Sequence, residues 1–185
     1  MNRANNNSNP ENTTAPEIPA SNTLTNESIA LARKKTAVFS QTQGRQPRML
    51  VTAVDQKNHI QSTKRFASLF SEIGFDVDIS LLYQTPRDVV KTAVENDGDL
   101  ICVASDDYVS PDMISRISKV LKTKGAENIF IIVGCDIPPK DDLSLYRAGA
   151  IGIVNIHRLG ADIEGWLRLF LSHERICASI PITFI

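Results

Sequence analysis

A chain of 185 residues, 42% hydrophobic, with 20 basic against 21 acidic residues, suits one soluble domain with some chain to spare. A net charge of −1 gives no electrostatic basis for a nucleic-acid partner. No apolar run approaches the roughly 18 residues that span a bilayer, and the N-terminus lacks the apolar core of a signal peptide. A cytoplasmic protein without membrane attachment is expected, with organelle targeting left open by an Asn-, Ser- and Thr-rich start.

Residues 1–45 read as a disordered tail: Asn5-Asn6-Asn7, Pro10, Pro16 and Pro19 stand among polar residues, with too few apolar groups to offset ordering entropy. Within it, Glu27 to Lys35 has the pattern of a short basic helical turn. From Arg48 the pattern changes, and strand-like runs at 48–54, 76–80, 99–104, 129–134 and 150–154 alternate with helix-like segments near 60–73, 86–96, 111–123, 140–148 and 161–172. Gly74 and Gly125 follow helices, Pro86 and Pro111 start them, and Thr85-Pro86-Arg87-Asp88 has the form of a helix cap. The domain is therefore bounded at 46–175, followed by an apolar tail, 176–185, in which Pro181 permits at most an edge strand. Trp166, Leu167, Leu169 and Phe170 are expected to pack the last helix on the sheet.

Alternating strands and helices predict a five-stranded parallel, doubly wound α/β sheet of flavodoxin-like order 2-1-3-4-5. The runs Leu100-Ile101-Cys102-Val103-Ala104 and Ile129-Phe130-Ile131-Ile132-Val133 have the continuous apolarity of strands covered on both faces. The ligand crevice of such a sheet lies beyond the carboxyl ends of the first and third strands, and His59 follows the first. Cys102, Cys135 and Cys177 are odd in number and too widely spaced for a metal site, so Cys102 and Cys135 are expected to be buried, reduced thiols.

Several motifs carry a family resemblance over Arg48 to about Val154. They are Gly74-Phe75-Asp76-Val77-Asp78-Ile79, Gln84-Thr85-Pro86, Ala93-Val94-Glu95-Asn96-Asp97, Val133-Gly134, Ile137-Pro138-Pro139-Lys140-Asp141 and Leu145-Tyr146-Arg147-Ala148-Gly149. Ordered and spaced in this way, they resemble the cobalamin-binding domain of the methylmalonyl-CoA mutase family. The resemblance implies cobalamin, as adenosylcobalamin, for a cofactor. His59, from a DxHxxG motif, would replace the cofactor's own base as axial ligand to cobalt. The displaced nucleotide tail would enter a slot beside the sheet, past Ser62, Ser105, Gly134, Cys135 and Asn155. It further implies a separate acyl-CoA mutase barrel subunit as partner, since no catalytic barrel is expected in these residues and the chain alone is not expected to be an enzyme.

Several ligand positions depart from the family pattern. Lys57 stands where the Asp belongs and cannot accept the imidazole N–H. Asp55 lies two residues out of register. Ser62 replaces the motif glycine, and the Ser-x-Leu motif reads Ala104-Ser105-Asp106. Paired glycines become Gly134-Cys135, and the last loop reads Asn155-Ile156-His157-Arg158 with no glycine. Cys135 and Ile156 are expected to crowd the slot. Two readings follow: a cobalamin-binding module, or a degenerate, cobalamin-free interaction or regulatory domain that keeps the fold. Asp55, Asp106 and Asp107 also suggest a phosphate-accepting receiver site, but Gly134-Cys135 and Asn155-Ile156 lack the Ser/Thr and Lys such a site requires.

Overall fold

The computed structural model describes residues 26–53, 60–81, 84–106, 109–135 and 142–155, together with Gly165, Leu167, Arg168 and Phe170. Five strands, β1 (Arg48–Thr52), β2 (Asp76–Ile79), β3 (Leu100–Ser105), β4 (Phe130–Cys135) and β5 (Ala150–Asn155), form one parallel sheet in the order β2-β1-β3-β4-β5. The expected doubly wound order and each expected strand are present, with ends shifted by one or two residues. The helices are α1 (Asn26–Gln43), α2 (Ile60–Glu72), α3 (Pro86–Glu95), α4 (Pro111–Thr123) and α5 (Asp142–Ala148). A further helical stretch contains Leu167 and Phe170, both buried; Trp166 and Leu169, expected to pack beside them, lie outside the described residues, as does the tail 176–185.

β1, β3, β4 and β5 each feed two cores because successive side chains leave the pleat on opposite faces. Met49 and Val51, Leu100, Cys102 and Ala104, Ile132, and Val154 face α1, α2 and the last helix, where they meet Phe39, Phe66, Phe70, Ile73, Phe75 and Phe170. Leu50, Ile101, Val103, Ile131, Val133 and Ile153 face the other way, against Val89, Val90 and Ala93 of α3, Ile114, Ile117 and Leu121 of α4, and Leu145 of α5. Double coverage explains why β3 is buried along its whole length. Edge strand β2 is mostly exposed, and Asp76 and Asp78 charge it against pairing with another sheet.

One boundary is corrected. In place of the expected tail over 1–45 with a helical turn at 27–35, α1 runs 18 residues to Gln43 and buries Ala32, Thr36 and Phe39. Phe39 stacks on Phe170 with ring centroids 5.5 Å apart. The Thr36 hydroxyl donates to the Ile73 carbonyl at 2.6 Å, at the point where Gly74 turns the chain with φ +98°. A Cβ at Gly74 would stand 2.7 Å from Thr36 Oγ1, so glycine serves both the left-handed turn and the close approach. Just beyond α1, Arg45 donates to both carboxylate oxygens of Asp99, at 2.6 and 2.7 Å, and the Arg48 N–H donates to the same group at 2.7 Å.

The capping expectation at Thr85 is met. Its hydroxyl accepts from the Asp88 N–H while the Asp88 carboxylate accepts from the Thr85 N–H, a reciprocal box closing the first turn of α3. The hydrogen bond from the Thr85 hydroxyl at 2.6 Å, followed by that from its backbone, holds the Asp88 carboxyl below the usual aspartate range.

Candidate functional site

Strand order reverses between β1 and β3, so the carboxyl ends of these strands open onto the crevice where sheets of this kind take ligands. The loop joining β1 to α2 leaves from this end. His59 and the neighbours that would tune it, Asp55 and Lys57, are within residues 54–59, outside the described residues, as are Asp107, Ile156, His157 and Arg158.

Five of the six expected ligand-contacting residues are described, and all five come to this same end of the sheet. Ser62 stands in the first turn of α2 and is fully buried. Ser105, Cys135 and Asn155 are the last residues of β3, β4 and β5; they lie abreast in register and are buried. The pleat nonetheless separates them from Gly134. Cys135 packs with Val133 and Ile153 on the α3–α4 face, and Ser105 and Asn155 alternate onto that face with it. Gly134 falls on the α2 face, in register with Ala104 on one side and Val154 on the other. A bulge in β5, where Ile131 faces Ala150 but Ile132 faces Gly152, sets which β5 residue joins each row.

The α2 face is closed at Gly134. A Cβ there would lie 2.8–2.9 Å from three carbons of the Phe66 ring, so the ring takes the room that the absent side chain leaves. Phe66 is wholly buried, stacks with Phe70 at 6.3 Å, and shares its cluster with Ala104, Ile132 and Val154. Cys135, expected to crowd this slot, faces away from it because it is one residue along the strand from Gly134; the crowding group is Phe66. In the sequence Phe66 recurs with Leu69, Phe70 and Ile73 at helical spacing and carries no other mark. The available signal was Gly134 itself, since a glycine inside an apolar strand marks a close approach by another group. As packed, this face lacks the volume for a nucleotide tail at Gly134, and the row of sheet residues beneath Phe66, which is Ala104, Gly134 and Val154, carries no side-chain donor.

Cys102 and Cys135 are buried and outside any disulfide, as expected; burial, and then the neighbouring Cys135 sulfur, push the Cys102 thiol far up and leave it a poor nucleophile. Among the described residues no group of three or more His, Cys, Asp or Glu side chains is placed to hold a metal ion, and no helix is long and apolar enough to cross a membrane.

No family model matches the chain. Curated proteins do. The large subunit of methylmalonyl-CoA mutase from Streptomyces virginiae is 36% identical over 126 residues, covering 68% of this chain. The mitochondrial methylmalonyl-CoA mutase of Bos taurus is 34% identical over 135 residues, covering 73% of this chain. These matches span only 17% and 18% of the relatives' own lengths. Among solved structures, a cobalamin-binding protein from Desulfitobacterium hafniense DCB-2 superposes with a TM-score of 0.54 at 16% identity, over 76% of this chain and 69% of that one, which shows a shared fold. By sequence, over about two thirds of its length, this chain is a homologue of one segment of the methylmalonyl-CoA mutases, the family its motifs resemble.

Proposed function

We propose that the chain is a corrinoid-binding module of methylmalonyl-CoA mutase type, which presents cobalamin or a related corrinoid to a separate acyl-CoA mutase barrel. The observation that carries this reading is the coincidence of homology and topology: within a segment 36% identical to a mutase, the loop bearing His59 leaves the sheet at its switch point. In this reading His59 would hold the cobalt. A neutral imidazole suits that metal, and a Lys57 in place of a carboxylate would weaken the site by about 10–100-fold without abolishing it. When bound, the corrinoid would supply cobalt–carbon bond chemistry, and this chain would hold and orient it.

A second reading, a cobalamin-free interaction domain, is favoured by one observation: the Phe66 ring fills the face of Gly134. A titration of the full chain with hydroxocobalamin and with cobinamide, read by visible absorbance, separates the two. Binding of either corrinoid, with a spectral shift lost in His59→Ala, supports the module. No binding of either at high micromolar concentration sinks it in favour of the interaction domain.

A further inference from the structure

We infer that Phe66 selects the corrinoid this chain takes, excluding the nucleotide tail so that the ligand is a tailless corrinoid of the cobinamide class; the inference rests on the corrinoid reading above. Two independent features of the Gly134 face point this way. The first is volume. Three Phe66 ring carbons stand 2.8–2.9 Å from the position of a single added carbon, so one methyl group already lacks room. A base, a ribose and a phosphate lack it by far more. Nor is the ring free to swing aside. Phe66 has no exposed surface, Phe70 stacks against it at 6.3 Å, and Ile132, Ala104 and Val154 lie in the same cluster. Moving the ring means opening the core between α2 and the sheet, which interiors packed to crystal-like density resist.

The second feature is polarity. A buried phosphate and ribose need donors and acceptors. The row beneath Phe66 offers Ala104, Gly134 and Val154, whose backbone groups are committed to the parallel ladder. The polar side chains at the ends of β3 and β5, Ser105 and Asn155, are on the opposite face of the sheet. A tail entering on the α2 face meets no polar side chain in that row, the buried Ser62 and Thr63 lying a turn before Phe66 on α2; on the other face Ser105 and Asn155 stand among Val133, Cys135 and Ile153, packed against α3, α4 and α5. A corrinoid that has no tail makes neither demand.

Equilibrium dialysis of the full chain against aquocobinamide and hydroxocobalamin in parallel tests the inference. Wild type should retain cobinamide about 10-fold or more tightly than hydroxocobalamin. Phe66→Val and Phe66→Ala, checked for folding by circular dichroism, should shift that ratio toward hydroxocobalamin. Should Phe66→Ala fail to fold, Phe66→Val and the wild-type ratio decide. Equal retention of the two corrinoids by wild type would overturn tail exclusion while leaving the module reading intact. Retention of neither would overturn both.

Discussion

A methyl group added at Gly134 would meet the Phe66 ring at 2.8 Å, and the ring is wholly buried. Gly134→Ala should therefore destabilise the domain by about 1–3 kcal/mol through overpacking, read as a lower urea midpoint with an unchanged slope; an unchanged midpoint would mean the ring yields freely. Phe66→Ala should cost about 3–5 kcal/mol, the usual range for emptying a buried aromatic site. Thiol chemistry offers a separate check on burial. With its thiol raised by desolvation, Cys102 should resist alkylation in the native state and react once the chain is unfolded, as followed by peptide mass mapping. Rapid native labelling would contradict its placement. At this scale the close approach at Gly134 was legible, because a glycine inside an apolar strand marks one. Which face each strand-end residue takes was not, because Gly152, at the β5 bulge that sets it, reads equally as a bulge or as a close approach by another group.

Helix α1 shows what sequence patterning hides. Its inward stripe is Ile29, Ala32, Thr36 and Phe39, and a hydrophobic count scores Thr36 as polar and Ala32 as weak. The hydrogen bond from Thr36 to Ile73 and the pairing of Arg45 with Asp99 that secure it join residues 37 and 54 positions apart, which no local window contains. Asp99 accepts three charge-assisted or backbone hydrogen bonds while nearly buried. Asp99→Ala should cost about 2–3 kcal/mol and raise amide exchange in both α1 and β1; a loss confined to the β3 start would contradict its role as the tie between them. By contrast, α3 was legible in full, because Thr85, Pro86 and Asp88 are a local signal. Its box has a pH signature with a definite sign. Asp88 has a lowered pKa when folded, so its contribution is present above about pH 4 and fades as the pH falls through the lowered value. Asp88→Asn should remove that segment of the acid-unfolding curve; an unchanged curve would place the carboxylate outside the cap.

Across the whole molecule, the order β2-β1-β3-β4-β5 followed from five strands alternating with helices, and the continuous apolar runs at Leu100–Ala104 and Ile129–Val133 announced burial on both faces. The homologous segment spans 17% of the large subunit of the Streptomyces virginiae mutase. The doubly wound sheet is complete, and its face at Gly134 is closed by the Phe66 ring. The central claim, that His59 meets the cobalt of a corrinoid, is tested most directly by electron paramagnetic resonance of the Co(II) form of cobinamide bound to the chain. Cobinamide brings no axial nitrogen of its own, so any such nitrogen comes from the protein. The account predicts nitrogen splitting that changes from triplets to doublets when the chain carries 15N-labelled histidine, and that is lost in His59→Ala. A spectrum with no axial nitrogen in the wild-type complex would contradict it.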